Sequence, residues 1–252
     1  LAVHVALVVG ALFGLGFARA GSAATASRPE PVAKEIPESD RGHLAAAIER
    51  ALHALPRPPA PYATSPDDST LEIDRRAYWD PDAKHWTAPA RATAERVFSA
   101  PEVSASEPGA VQSPSLEYRV FLNHEPELPE GLASEGDSPR AFPLPGSVAV
   151  EVTTITGGEE GGRVALPVSP EAAAVSPTVI RVYIGSREME KAVRVLLAGG
   201  NLAGSIFPAA ARAGGVYSVV VELYGPKRTV ESLATALDVP ALRKLLSAPA
   251  KK

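Results

Sequence analysis

The chain has 252 residues, no cysteine and a formal net charge of −4. The missing cysteines exclude disulfides, a thiol nucleophile and cysteine-bound zinc, and the lysines and arginines are scattered among acids, so no basic footprint for nucleic acid stands out. The 25 prolines are about twice the ~5% average usage and concentrate between Pro29 and Pro145, so part of that stretch is expected to be extended.

Residues Leu1 to Ala18 are apolar except for His4, and Arg19 ends the run. Small residues follow, with two A-x-A patterns, Ala18-Arg19-Ala20 and Ala24-Thr25-Ala26. An apolar core followed by such sites is the plan of a secretory signal peptide. At ~1.5 Å per residue the same run would also just span a ~30 Å hydrocarbon core. Gly10, Gly14 and Gly16 weaken a continuous helix and favour cleavage. Residues 1–26 therefore read as a signal peptide or membrane anchor, and either one delivers the remainder to the periplasm, the envelope or the exterior.

Residues 27–114 form a Pro-rich, partly extended region. Arg28 to Gly42 reads as a linker. From His43 to Leu55 the spacing of Leu44, Ile48, Leu52 and Leu55 predicts an amphipathic helix, with Ser39 and Asp40 available to cap it and Pro56 to stop it. The prolines from Pro56 to Pro66 favour an extended path. Leu71 to Trp79 reads as a short strand, Asp80-Pro81-Asp82 as a turn, and residues 90–99 as a short helix anchored by Val97 and Phe98. Pro101 to Pro114 marks the expected domain boundary.

Residues 115–252 read as a β-rich globular domain ending in two short helices. Leu116 to Leu122 alternates through Leu116, Tyr118, Val120 and Leu122. Ser147 to Thr156 and Arg163 to Val168 alternate likewise around a glycine-rich loop, which is a hairpin signature. Thr178 to Ile184 and Val216 to Tyr224 are further strands. Arg187 to Ala198 fits a helix through Met189, Val193, Leu196 and Leu197, or a strand through Val193, Val195 and Leu197; the helix is the preferred reading. The fold class is thus α+β, mainly antiparallel β, with a small β-sandwich-like C-terminal domain and peripheral helices. Ala213 to Tyr217, leading into a valine strand, resembles the entry to a late strand of immunoglobulin-like sandwiches, without their cysteine pair and core tryptophan.

Gly199 to Ser205 reads GGNLAGS and has a superficial likeness to a phosphate loop. It lacks the lysine before Ser205, and the order of elements is wrong, so a glycine helix cap or hairpin turn explains it better. Tyr78 to Trp86 holds both tryptophans of the chain. Tyr78, Trp79, Trp86 and His85 are the candidate ligand or partner surface, because paired aromatics stack on sugar rings or ligand cations. Asp80 and Asp82 are chiefly turn residues, and no second histidine at helix spacing supports a metal site. No G-x-S-x-G elbow is present, and His43, His53 and His124 lack a recognisable partner pattern. Thr229 to Leu246 resembles the helical part of a lysin motif and a helix-turn-helix; a helical hairpin packed on the sheet accounts for the same leucines.

These features predict a noncatalytic exported envelope protein whose β-rich domain binds an envelope protein or a glycan. It would touch the membrane if its first segment stays uncleaved. No catalytic residue, metal, nucleic acid or small-molecule cofactor is expected. Two alternatives stand beside it: an extracytoplasmic hydrolase with a distributed active site, and a peptidoglycan- or DNA-binding motif built from the C-terminal helices.

Overall fold

The computed structural model describes residues 31–100, 115–128, 139–153, 177–202, 205–208 and 211–247, with the side chains of 65–68 excepted. The expected signal segment, the 101–114 boundary stretch and the strand at 163–168 lie outside the described residues. Among those described, no helix is long and apolar enough to cross a membrane.

In chain order the elements are β1 (Val32–Glu35), α1 (Glu38–His53), β2 (Ala63–Ile73), β3 (Arg76–Asp80), β4 (His85–Trp86), β5 (Ala92–Ser99) and β6 (Leu116–Leu122). Then come β7 (Arg140–Phe142), β8 (Val148–Thr153), β9 (Pro177–Gly185), α2 (Arg187–Leu197), β10 (Ser218–Pro226), α3 (Lys227–Thr235) and α4 (Val239–Arg243). A seven-stranded sheet runs β2-β5-β6-β10-β9-β8-β7, and a three-stranded sheet runs β1-β3-β4. Neighbouring strands are antiparallel in both. The α+β, mainly antiparallel character expected from the sequence is what the described residues form.

The large sheet is built from strands whose side chains alternate between its two faces. Leu116, Tyr118, Val120 and Leu122 of β6, Val219, Val221 and Leu223 of β10, and Ile180, Val182 and Ile184 of β9 share one face and one core cluster. Leu44 and Ile48 of α1, Val230 and Leu233 of α3, and Leu242 of α4 complete that cluster. On the other face Val148, Val150, Val152, Tyr183 and Val220 gather around Met189 and Val193 of α2. The small sandwich expected from the strand count is not what the described residues show: helices supply the layer that covers each apolar patch.

Expectations for the first half change at several elements. The helix expected at 90–99 is strand β5. Its alanines suit a helix, yet Ala92, Ala94 and Phe98 are buried while Thr93, Glu95 and Val97 between them are half-buried, a period of two. Pairing decides it: β5 runs beside β6 from Ala92↔Leu122 to Phe98↔Leu116. Strands from both sides of residues 101–114 are neighbours in the large sheet, and α1 packs on β5 and β6 together.

Helix α1 starts earlier than its apolar stripe suggested, at Glu38 after Pro37. Ser39 and Asp40 lie inside its first turn, and no side chain caps it. The acids Glu38 and Asp40 still oppose the positive end of the helix dipole. The strand expected from Leu71 to Trp79 is two strands, β2 and β3, reversed at Asp74 and Arg75. Residues 187–197 are a helix, capped by Ser186, whose hydroxyl accepts from the Met189 amide at 3.2 Å. The glycine run after it ends the helix. Gly199 sits at φ +75°, its amide donates to Leu196 O, and the Gly200 amide donates to Val195 O, each at 2.9 Å. That is the Schellman pairing, which needs a left-handed residue where Gly199 stands.

Candidate binding cleft

Strand β6 ends at Leu122, and Asn123 then takes φ +60°. Asparagine tolerates this left-handed region because its short polar side chain bonds locally. Here it bonds across the fold. Asn123 is fully buried. Its Nδ2 donates to the carbonyls of Ala90 and Gly215, and its Oδ1 accepts from the Tyr217 amide, each at 2.7 Å. One side chain thereby joins the entry to β5, the end of β6 and the entry to β10.

The sharp turn at Asn123 sets His124 beside β5. The imidazole Nε2 lies 3.2 Å from Thr93 Oγ1, and the ring meets Phe121 edge-on with centroids 5.0 Å apart. The His124 carbonyl accepts from Ser218 Oγ at 3.2 Å. Burial, reinforced by the nearby Arg91 charge and only partly opposed by Asp74, pushes the imidazole down to about 4. A buried base surrendering its proton is the ordinary effect of desolvation on a cation. His124 is therefore neutral at pH 7.

His124 and Thr93 form one wall of a cleft of about 600 Å³ at the β2 side of the large sheet. Its other polar residues are Glu72, Asp74, Arg75 and Arg91, and its apolar ones are Leu71, Ile73 and Ala92. Asp74 shapes it: the Asp74 amide donates to Arg91 O at 3.0 Å, and Asp74 Oδ2 accepts from the Arg91 amide at 3.1 Å. This double link holds the β2–β3 reversal against the start of β5. Among the described residues neither the Arg75 nor the Arg91 guanidinium makes an ion pair or hydrogen bond.

Next to the cleft, on the same face as Thr93, a charged row crosses four strands. Glu95, Arg119, Glu222 and Arg181 stand opposite one another on β5, β6, β10 and β9. Arg119 Nε reaches Glu95 at 3.0 Å, Arg119 Nη1 reaches Glu222 at 3.3 Å, and Arg181 Nε reaches Glu222 at 2.7 Å. Arg181 Nη1 also donates to the Glu127 carbonyl at 2.8 Å, and the Tyr183 hydroxyl donates to the same oxygen. The row thus pins the segment that carries His124 down onto the sheet.

The aromatic residues singled out from sequence lie on the three-stranded sheet instead. Trp79 and Trp86 are paired across β3 and β4, with ring centroids 5.2 Å apart at 76°. Trp86 is buried in the main core, and Trp79 packs partly against it. Lys34 on β1 already covers the Trp79 face at 4.2 Å. His85 Nδ1 is 3.0 Å from the Trp86 carbonyl, while Tyr78 points outward and is 61% exposed. Asp80 is buried and accepts from the amides of Asp82 at 3.0 Å and Ala83 at 2.9 Å, as its turn role requires. Among the described residues no three His, Asp or Glu side chains are grouped so as to hold a metal ion.

The structure brings Trp79 and Trp86 together, leaves Tyr78 outside their contact, and puts none of the four in the cleft. The cleft residues Asp74, Arg75, Arg91 and Thr93 carried no local motif. Their one sequence signal was Asn123-His124 directly after a strand, where a left-handed asparagine can turn the chain.

Comparison with protein-family models finds no match, and comparisons with curated proteins and with solved structures find none either.

Proposed function

We propose that this is a noncatalytic extracytoplasmic protein whose β-rich domain binds an envelope protein or glycan, with the β2 edge and its cleft as the binding face. Export rests on the apolar run and A-x-A sites of residues 1–26. The observation that carries the binding face is the position of β2. It closes the sheet on one side, no described strand pairs with its outer edge, and Leu71 on it is 49% exposed. An open strand edge takes up an extended segment of another chain through main-chain hydrogen bonds. This favours the protein partner over the glycan. The aromatic turn is the second candidate surface, through the outward Tyr78 rather than the tryptophans, because Lys34 covers Trp79.

A second reading, an extracytoplasmic hydrolase, draws on the contact between Thr93 Oγ1 and His124 Nε2. Against it, an imidazole pushed down to about 4 is a weak general base at neutral pH. Asp74, whose charge acts on the imidazole, accepts from the Arg91 amide, and no hydrogen bond joins it to His124 among the described residues.

The test places a photo-crosslinking residue at Leu71 and, separately, at exposed Thr235 on α3, in the full chain expressed in its native host. Crosslinks specific to position 71 with one extracytoplasmic protein are expected. No crosslink at 71, or the same products from both positions, removes the reading. A fusion of residues 1–30 to a reporter active only outside the cytoplasm tests export, and a silent reporter at normal expression refutes it.

A further inference from the structure

We infer that residues 124–128 form an acid-released strap, which swings off the sheet about Asn123 when the His124 imidazole takes up a proton and so opens one wall of the cleft. The latch rests on the geometry of the strap. Its physiological use rests on the export proposed above, since an exported protein meets the pH of its surroundings.

The first ground is a fixed pivot followed by a loosely held segment. Asn123 is tied to the fold through its amide, which donates to Ser218 O at 3.0 Å, and through its side chain, which bonds Ala90, Gly215 and Tyr217 at 2.7 Å each. Beyond Asn123 the hold changes in kind. Among the described residues, 124–128 make no backbone–backbone hydrogen bond. Side chains hold them instead: Ser218 Oγ on the His124 carbonyl, and Arg181 Nη1 with the Tyr183 hydroxyl on the Glu127 carbonyl. A segment outside the ladder can leave while the sheet stays intact.

The second ground is which side chains turn inward. Burial alternates along the strap: Pro126 is buried, His124 and Leu128 are half-buried, and Glu125 and Glu127 are exposed. Leu128 packs on the apolar cluster around Met189 and Val193. His124 is therefore the one titratable side chain on the inward side of the strap, where its ring meets Thr93 and Phe121.

The third ground is what that position offers a proton. Burial comes first and disfavours the imidazolium. Arg91, at the entry to β5, and Arg181, on β9, add like charge. Asp74, at the β2–β3 reversal, is the opposing carboxylate, and it accepts from the Arg91 amide. Glu72 and Arg75 line the same cleft with opposite charges, and Glu222 on β10 is bonded to Arg119 and Arg181. Among the described residues no carboxylate is hydrogen-bonded to the imidazole. With the strap closed the ring keeps a proton only below about 4, against an ordinary 6.5. A state that exposes the ring binds the proton more tightly, so acid favours the open strap from about 6.5 downward. Together the two values limit the acid-driven rise in the open-to-closed ratio to about 300-fold.

The experiment uses introduced thiols, each unique because the chain has no cysteine. Single-cysteine variants of the full chain carry Pro126→Cys or Leu128→Cys on the inward side of the strap, Glu125→Cys on its outward side, or Ala94→Cys in the sheet core. Each is reacted with a pyridyl disulfide from pH 7.5 to 4.5, and the Glu125→Cys rate corrects for the reactivity of the thiol itself. Both inward thiols should react faster than Ala94→Cys throughout. Their corrected rates should begin to rise near pH 6.5 and gain about tenfold or more by pH 5, before ordinary carboxylates of pKa ~4 titrate. Adding His124→Gln should abolish the rise. The onset is read with His124 in place, so the outcome does not hinge on how that variant folds. Inward thiols no faster than Ala94→Cys would show that only global unfolding frees the strap. A flat corrected rate, a rise confined to pH below about 5, or a rise that persists with His124→Gln would each overturn the inference as well. Crosslinking from Leu71 is read separately, so loss of the latch would leave the binding face standing.

Discussion

The Tyr217 amide donates to Asn123 Oδ1 at 2.7 Å, tying the approach to β10 to the end of β6. The same side chain serves two carbonyls through its Nδ2. Asn123→Ala strands one buried amide and two carbonyls, each costing ~1–3 kcal/mol when unsatisfied, and relaxation makes the sum less than additive. We expect a loss of about 3–5 kcal/mol by urea denaturation. Asn123→Gly should lose nearly as much, although glycine accepts the positive φ freely. A glycine variant close to wild type would show that the turn, not the bonds, is what the fold requires.

His124 makes stability depend on pH. Its folded value, about 4, lies below the ordinary 6.5 of the unfolded chain. Above 6.5 both states are neutral and the group adds no pH dependence. As pH falls below 6.5 the unfolded chain takes up a proton that the folded chain refuses, so stability drops through the window from 6.5 to about 4. His124→Gln should flatten that part of the stability curve. An NMR titration should place the His124 midpoint near 4, and a midpoint near 6.5 would contradict the buried geometry.

Tyr118 presents the opposite case of a polar group without a bond. It is 2% exposed, and its hydroxyl has no hydrogen-bond partner among the described residues. Burial raises its pKa well beyond the usual range. The ring is well used, packing on Phe98 with centroids 4.7 Å apart. Tyr118→Phe keeps that packing and removes an unsatisfied hydroxyl worth ~1 kcal/mol or more of penalty. The variant should match or exceed wild-type stability in a thermal melt, by up to about 2 kcal/mol. A clear loss would reveal a partner for the hydroxyl.

Strands with strict alternation were legible. Leu116–Leu122 is β6 to the residue, because one face carries four large apolar side chains, all buried, while Glu117, Arg119 and Phe121 on the other are half-buried. The amphipathic helices were legible for the same reason. The β5 strand was not, because Ala92 and Ala94 have little apolar bulk and a helix uses alanine as readily; only β6 on one side and β2 on the other make it a strand. The cleft was illegible for a different reason. Asp74, Arg91 and His124 are far apart in sequence, and the bonds that assemble them run through main-chain atoms, which leave no mark on residue type.

The charged row gives the last prediction. Glu222 sits between two arginines and its side chain is 6% exposed, against 40% for Arg119 and 16% for Arg181. Position along the row should therefore decide what each carboxylate contributes. Removing Glu222 leaves Arg181 buried without its carboxylate, the circumstance in which breaking an ion pair costs ~3–5 kcal/mol. Glu95 is 30% exposed, and its bond to Arg119 is partly replaced by Glu117 at 3.0 Å. An ion pair this open contributes ~0–1 kcal/mol. Glu222→Ala should thus destabilise the fold by about 3 kcal/mol or more and Glu95→Ala by less than about 1. The double variant Glu222→Met with Arg181→Met should recover much of the loss, since two apolar side chains of similar volume need no solvation at that depth. It should not recover the whole, because Arg181 also donates to the Glu127 carbonyl at 2.8 Å and holds down the segment after His124. That residual should appear as faster amide exchange over 124–128 in the double variant. Equal losses from Glu222→Ala and Glu95→Ala would mean that solvent screens the entire row.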